Sequence, residues 1–363
     1  MKNEVKKLRI GFVGIGGMGN IHIGSHAANE RVEIVALCDL IPEKCKEAIE
    51  RHSLNPDTPI YTDFRKMIDE ENLDAVDIAT PNDFHSIIAV YALEHGLHVF
   101  TEKPDAINAS EAQKMKDAAE KAGKVLMAMR NNRYVDPSIF MKKYIQEGKA
   151  GEIYCGRCGW IRRRGIPGKG GWFTNKAKSG GGPLIDLGVH IIDLAMWMMG
   201  NPKPIAVSGC TYSKFADNEA EADSEHAAFG GAVENGVFDV EDLAMGFIRF
   251  ENGACLQIEF SWASNIQREM SFVELRGTKA GIRWGGESDG IWTEDENGKL
   301  IDIFPEYPVY NGPKNHHARS LEHFVRIILD DAEKDYVPEQ GVNMIKILDA
   351  IYESAKCGHE IIL

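Results

Sequence analysis

The chain has 363 residues, 44% hydrophobic and 26% charged, with a formal net charge of −14. That length holds two domains rather than one, and the acidic balance argues against nucleic acid or an anionic membrane as partner, since both attract a basic field. No apolar run reaches the ~18 residues that would read as a membrane span, and seven scattered cysteines are not a disulfide framework. The N-terminal lysines and apolar residues imitate an export signal. Glycines break the apolar part and no small-residue cleavage site follows, so a cytoplasmic location is expected.

The first part alternates strand-like and helix-like runs. LRIGFVGI (8–15), VEIVALCD (32–39), LDAVDIAT (73–80), LHVFTE (97–102) and KVLMAM (124–129) read as strands. Helical patterns lie between them, among them 83–96 closed by Gly96 and 110–123 with Ser110 as N-cap and Gly123 as stop. Strands this apolar, separated by helices, predict a parallel sheet covered on both faces, a doubly wound Rossmann-type domain over 1–130. The pattern changes after that. A helix is expected over 136–148, then period-two alternation, clearest in LQIEFSW, where Leu256, Ile258, Phe260 and Trp262 share a face. Hairpins are expected at Asn252-Gly253 and over 277–281. Residues 131–363 therefore read as an α/β domain with a large, mainly antiparallel, open-faced sheet, suited to pairing with a second copy in a homo-oligomer. A helix over 341–356 is a candidate to pack back on the first domain. Residues 217–236 read as a long polar loop, either a solvated insertion or a lid or subunit contact. Cys155 and Cys158 form the one C-x-x-C. On a strand, residues three apart face opposite ways and no second pair follows, so no metal is expected.

Three constellations carry chemistry. Gly14-Ile15-Gly16-Gly17-Met18-Gly19 is a G-x-G-x-x-G that closes a strand and opens a helix, the context a dinucleotide fingerprint needs. Gly14 serves the tight turn, Gly16 the approach of a pyrophosphate, and Gly19 the packing of helix on strand. Asp39, 20 residues past Gly19, can accept ribose hydroxyls and would repel a 2′-phosphate; only Leu40 and Ile41 follow it, which favours NAD over NADP. Second, Thr80, Pro81 and Asn82 end one strand, and Glu102-Lys103-Pro104 ends another. Ligands of such sheets bind beyond the carboxyl ends of the strands, so both clusters face the nicotinamide half of the cofactor. Lys103 there can orient a substrate hydroxyl and stabilise a developing alkoxide.

Third, residues 180–200 read as one buried helix entered through Pro183. Its ionisable residues Asp186, His190 and Asp193 fall on one stripe, at about 0°, 40° and −20°. His190 suits proton transfer near neutral pH, with Asp186 orienting the imidazole. A structural His–Asp pair is the competing reading.

These pieces, GIGGMG at 14–19, TPNDFH at 80–85, EKP at 102–104 and GGGPLIDLGVHIID at 180–193, resemble the Gfo/Idh/MocA oxidoreductases, over essentially the whole chain. The resemblance implies a Rossmann domain plus an open-sheet domain commonly used for oligomerisation. It implies hydride transfer between NAD and a secondary alcohol or ketone of a sugar or cyclitol. Carried over, Lys103 positions substrate and nicotinamide, His190 is the general acid/base and Asp186 its support. Asn82, His85 and Glu102 would contact the nicotinamide side. Substrate choice is expected in 161–182, where Arg162 and Arg164 share a face and Arg163 points the other way. Arg163, Trp172, Asn175 and Lys176 are the candidate contacts there, each also readable as a solvated loop residue, and His316 and His317 are within possible reach. A redox-neutral glycoside hydrolase using tightly held NAD, and a regulatory protein that binds the nucleotide without catalysis, stand as alternatives.

Overall fold

The computed structural model describes residues 6–216, 231–307, 313 and 315–363. The chain divides into two compact units, one of residues 1–131 and 311–342, the other of 132–310 and 343–363. Most of the polar loop expected over 217–236 lies outside the described residues.

The first unit carries β1 (Leu8–Val13), α1 (Gly17–Ala27), β2 (Val32–Cys38), α2 (Pro42–Arg51), β3 (Ile60–Tyr61), α3 (Phe64–Glu70), β4 (Ala75–Ile78), α4 (His85–Glu94), β5 (His98–Thr101), α5 (Ala109–Ala122) and β6 (Leu126–Ala128). Among the described residues its sheet has the order β3-β2-β1-β4-β5-β6, and every pairing is parallel. This is the doubly wound order whose switch point lies between β1 and β4. Helices cover both faces of the central strands, which is why Ile10, Phe12, Val76, Ile78, Val99 and Phe100 can all be apolar and shut from water. One cap differs from expectation. Asn108, not Ser110, caps α5, its side chain accepting the Glu111 N–H at 2.9 Å. Gly123 ends that helix in the left-handed region (φ +63°), as expected.

The second unit begins with α6 (Asp136–Gln146) and β7 (Ile153–Ile161). Three helical segments follow, α7 (Lys176–Ser179), α8 (Pro183–Asp186) and α9 (Gly188–Met198). The strands β8 (Pro204–Tyr212), β9 (Leu243–Phe250), β10 (Cys255–Ser261), β11 (Met270–Gly277), β12 (Ala280–Gly285), β13 (Gly290–Glu294) and β14 (Leu300–Ile303) come next. The chain then continues through α10 (His316–Asp330) and α11 (Pro338–Cys357) to β15 (Ile361–Ile362). Among the described residues the second sheet has nine strands in the order β14-β13-β12-β11-β7-β10-β9-β8-β15. All its pairings are antiparallel except β7 with β10. Both expected hairpins form, with Gly253 in the first turn at φ +84°. Leu256, Ile258, Phe260 and Trp262 are buried on one face, while Gln257 on β10 and its neighbours Arg157 and Phe247 are exposed on the other.

The division at 130/131 needs one correction. Residues 311–342 cluster with the first unit, and the helix that returns there is α10. Its apolar stripe explains this: Leu321, Phe324 and Val325 are each about 1% exposed, and Phe324 meets Phe100 of β5 edge-on at 5.4 Å. The helix expected over 341–356 is the body of α11, which belongs from residue 343 onward to the second unit.

Candidate active site

The glycine loop is held by the sheet it leaves. Gly14 has φ +91°, and a Cβ there would lie 2.7 Å from the Ala79 backbone at the end of β4, so any side chain is both strained and blocked. A Cβ on Gly19 would meet the Gly14 carbonyl oxygen at 2.1 Å, so helix and strand touch backbone to backbone. Gly16 differs: a Cβ there would meet nothing within 4 Å. It caps α1, whose first turn holds no acid, and leaves the positive helix end open to an anion. Asp39 Oδ2 accepts the Ile15 N–H at 2.8 Å, and Oδ1 accepts the Ile41 N–H at 2.9 Å. At the end of β4, the Thr80 hydroxyl oxygen is buried without a hydrogen-bond partner among the described residues. Open space at Gly16, free helix N–H groups, a fixed carboxylate at the end of β2 and an orphaned hydroxyl at the end of β4 fit a dinucleotide.

The stretch after β5 is built from below. Glu102 is 5% exposed, and its Oε1 lies 3.0 Å from His22 Nε2, while His22 Nδ1 lies 2.8 Å from Asp77 Oδ1. Burial alone would strip the proton from His22, but the two carboxylates overcome it and push its pKa up to about 10. Burial likewise opposes ionisation of Glu102, yet the His22 hydrogen bond and charge, helped by Lys103, hold it down at about 2. Asp77 is lowered too, against its burial, by His22 and His26. The remaining oxygen of Glu102 accepts the Lys103 backbone N–H at 3.0 Å. The Lys103–Pro104 bond is cis. Asp105 follows, its carboxylate taking the Arg130 guanidinium at 2.5 Å and the Tyr336 hydroxyl. The turn bearing Lys103 is therefore fixed on both sides by buried charge, and Lys103 itself is only half-buried. Sequence reasoning found Glu102 and Lys103 but missed His22 and Asp77. His22 stands three residues past Gly19, one helical turn, and that spacing was the available signal.

A pH dependence follows from the signs. His22 has a folded pKa of about 10 against an ordinary 6.5, so its contribution to stability is complete below about 6.5 and is lost as pH rises toward 10. Glu102, lowered from 4.5 to about 2, contributes above 4.5 and loses its contribution as pH falls toward 2. His22→Gln should therefore lower Tm more at pH 6 than at pH 9. An equal deficit at both pH values in thermal melts would contradict a buried imidazolium.

His85 is fully buried, with Nδ1 2.8 Å from the Pro104 carbonyl and Nε2 3.0 Å from that of Thr80. Burial, the largest influence, pushes its pKa down, and a neutral ring donates to one carbonyl at a time. Both nitrogens thus face protein carbonyls, and the ring ties the Thr80 turn to the Pro104 turn. Asn82 is buried just ahead of it. His317 is also in the first unit; burial, the largest influence, and then nearby cations, including Lys103, push it down to about 4.

In the second unit the expected single helix is two. Leu187 separates α8 from α9. From 181 to 196, Asp186 and His190 alone are not fully buried. Asp186 Oδ2 accepts the Trp262 indole N–H at 3.0 Å, and the His190 ring lies 6.2 Å from that of Trp160. Asp193, placed on the same stripe from sequence, is 4% exposed and bound to Arg133 through 2.6 and 2.8 Å hydrogen bonds, so it is a structural ion pair. Of the three glycines ahead of α8, Gly180 ends α7 in the left-handed region (φ +87°), and the other two serve close packing: a Cβ on Gly181 would strike the Tyr352 hydroxyl, and one on Gly182 the Glu241 carbonyl. Glu241, missed in the sequence, accepts the Gly182 and Leu184 N–H groups at 3.0 and 3.1 Å and the Tyr352 hydroxyl at 2.9 Å. It pins the start of the segment that carries Asp186.

The expected substrate residues have other partners. Arg163 is exposed. Trp172 stacks on Phe173 at 3.8 Å. Asn175 caps α7 through the Ala177 N–H, and the Lys176 ammonium sits over the Tyr352 ring at 5.0 Å. Among the described residues no cluster of three metal-ligating side chains exists, and no helix is long and apolar enough to cross a membrane.

Fold and site together define an NAD-binding oxidoreductase. The chain belongs to the Gfo/Idh/MocA family: residues 8–129 match its NAD-binding Rossmann domain and residues 142–363 its C-terminal alpha/beta domain. It is 32% identical to D-glucoside 3-dehydrogenase of Escherichia coli, over 97% of this chain and 96% of that one. It is 24% identical to scyllo-inositol 2-dehydrogenase (NADP(+)) of Bacillus subtilis, over 100% and 98%. A shorter match, 30% over 44% of this chain and 36% of the relative, is to glycosyl hydrolase family 109 protein 1 of Shewanella sp. MR-4. The solved structure of levoglucosan dehydrogenase with NADH and levoglucosan superposes with a TM-score of 0.81 at 25% identity, covering 98% of this chain and 99% of that one.

Proposed function

We propose that the protein is a dehydrogenase that oxidises a secondary hydroxyl of a glucoside or related sugar or cyclitol, or reduces the corresponding ketone. The end-to-end likeness to D-glucoside 3-dehydrogenase carries this reading, and Lys103, Asp186 and His190 supply the chemistry. When bound, the dinucleotide supplies the hydride acceptor. Gly14 to Gly19 receive its pyrophosphate, and Asp39 receives the adenosine ribose. His190 takes the hydroxyl proton as the carbinol carbon gives up hydride, and Asp186 supports the imidazolium. Lys103 donates to the substrate oxygen and offsets its developing charge. In the reductive direction His190 returns the proton. A redox-neutral reaction would call on the same acid–base chemistry. The partial likeness to a glycosyl hydrolase keeps that second reading testable.

NAD is proposed as the preferred cofactor because the Asp39 carboxylate is already fixed by two backbone N–H groups. Lys44, 3.8 Å from Asp39 Oδ1, is a cation that sequence reading overlooked and that moderates the preference. Asp39→Ala should weaken NAD binding about tenfold or more, the worth of one or two hydrogen bonds to a charged group, and weaken NADP less. Equal losses in fluorescence titrations would remove the carboxylate argument. The exposed face of the second sheet is the proposed homo-oligomer contact. The activity itself is tested by reduced-nicotinamide absorbance with NAD or NADP and a panel of glycosides, hexoses and inositols. Signal with one of them supports the dehydrogenase. Aglycone release without net reduced cofactor supports the hydrolase.

A further inference from the structure

Arg162 follows β7 directly and is 5% exposed. A buried guanidinium ordinarily has a carboxylate or several carbonyls to receive its five N–H groups. Among the described residues this one makes a single hydrogen bond, Nη1 to the Gly165 carbonyl at 3.2 Å. Among those residues its Nε, shut from solvent, has no hydrogen-bond partner, and no ion pair is formed by its guanidinium. Its neighbour Arg164 shows the contrast, donating to the carbonyls of Arg163 and Ser264 and to Asn265 Oδ1, all between 2.7 and 2.9 Å. Among the described residues Arg164 has three acceptors and the Arg162 guanidinium has one.

The position of Arg162 gives the under-used donors a purpose. Its guanidinium sits over the Trp160 ring at 5.1 Å, and that ring is the one 6.2 Å from His190. Its backbone N–H donates to Ser261 at 3.0 Å, and the next residue, Trp262, holds Asp186 through its indole. Burial, the largest influence, pushes the Arg162 pKa down, against Asp186 and Glu269, which raise it. A cation whose ionised form is opposed by its surroundings gains most from an oxygen acceptor brought by a ligand.

We propose that Arg162, not Arg163, is a specificity-determining residue of the substrate site, donating its free N–H groups to an oxygen acceptor pair of the sugar beside the hydroxyl that His190 deprotonates. The pair is either two neighbouring hydroxyls of a neutral sugar or the carboxylate of a uronide. The inference rests on the function proposed above only for the identity of the ligand, and binding is read separately from turnover.

The test is calorimetric titration of the full chain, loaded with NADH, with methyl glucoside, its monodeoxy analogues and methyl glucuronide. The wild type should lose about tenfold to a hundredfold in affinity when one particular hydroxyl is removed, the worth of a charged hydrogen bond. Arg162→Met, which keeps an apolar stem against Trp160, should bind the parent glucoside about that much more weakly and lose discrimination at that position alone. Arg162→Lys, which keeps charge without the planar fork, should fall between and serves if the methionine variant does not fold. A wild-type preference for the glucuronide that vanishes in both variants identifies the acceptor as a carboxylate; no such preference identifies a hydroxyl pair. Discrimination at every position retained in the variants would make Arg162 structural and overturn the proposal. So would failure of all these ligands to bind the wild type. Binding with the expected discrimination but without NADH formation from NAD would leave Arg162 standing and sink the dehydrogenase reading instead.

Discussion

His190→Ala is expected to lower kcat at least ~100-fold, with a much smaller change in KM. The size is that of lost general acid–base help, and the split follows from the proposed timing, in which the proton moves as the carbinol carbon gives up hydride. His190 and Asp186 are the two partly open residues in a run that is otherwise buried from 181 to 196. Buried residues surround them along the segment, and the Trp262 indole bond fixes the Asp186 carboxylate. Histidine is the side chain whose charge ordinarily changes near neutral pH. The variant should therefore also lose the fall in kcat/KM on acidification that a neutral base imposes on oxidation. Asp186→Asn should act in the same direction with a smaller effect, since it removes the charge that supports the imidazolium but keeps an acceptor for Trp262. Full activity in His190→Ala would mean that the ring is only a packing element.

Lys103→Ala is expected to lower kcat/KM at least ~100-fold, with part of the loss in KM. An ammonium that orients a hydroxyl acts on the bound alcohol as well as on the developing alkoxide, so ground state and transition state both suffer. The surroundings make the assignment specific. Glu102 is spent on His22 and on the Lys103 backbone, Asp105 on Arg130 and Tyr336, and His85 on two carbonyls. The polar groups around Lys103 are thus committed to holding its turn, while the Lys103 side chain is half-buried. Lys103→Arg should rescue little, because a planar fork cannot replace a compact ammonium at a placed oxygen. An alanine variant with unchanged kcat/KM would refute the role.

Much of this was legible in residue order. A parallel sheet announces itself through strands apolar on both faces, and the glycine fingerprint announces its switch point. Alternation in LQIEFSW marked a half-covered sheet, and that face is indeed buried at Leu256, Ile258, Phe260 and Trp262. What stayed hidden depended on long-range pairing. Asp193 fell on the right stripe, yet a partner 60 residues away, Arg133, claimed it. His22 and Glu102, 80 residues apart, form one charge network only because β1, β4 and β5 lie side by side. Glu241 reaches back across 59 residues to the segment that bears Asp186. The loop 161–182 hid its pairings for a related reason. Its conspicuous polar residues Asn175 and Lys176 are engaged in local structure, while the buried Arg162 guanidinium makes a single hydrogen bond among the described residues.

The central claim is that hydride leaves a secondary carbinol carbon of a sugar and reaches the bound cofactor. The most direct measurement uses methyl glucoside labelled with deuterium at each ring carbon in turn, incubated with the protein and NAD, and analysed by mass spectrometry. The account predicts deuterium in the reduced cofactor from one labelled position, together with the matching ketoglycoside. Methanol release with no net reduced cofactor, or deuterium that never reaches the cofactor from any position, would contradict it.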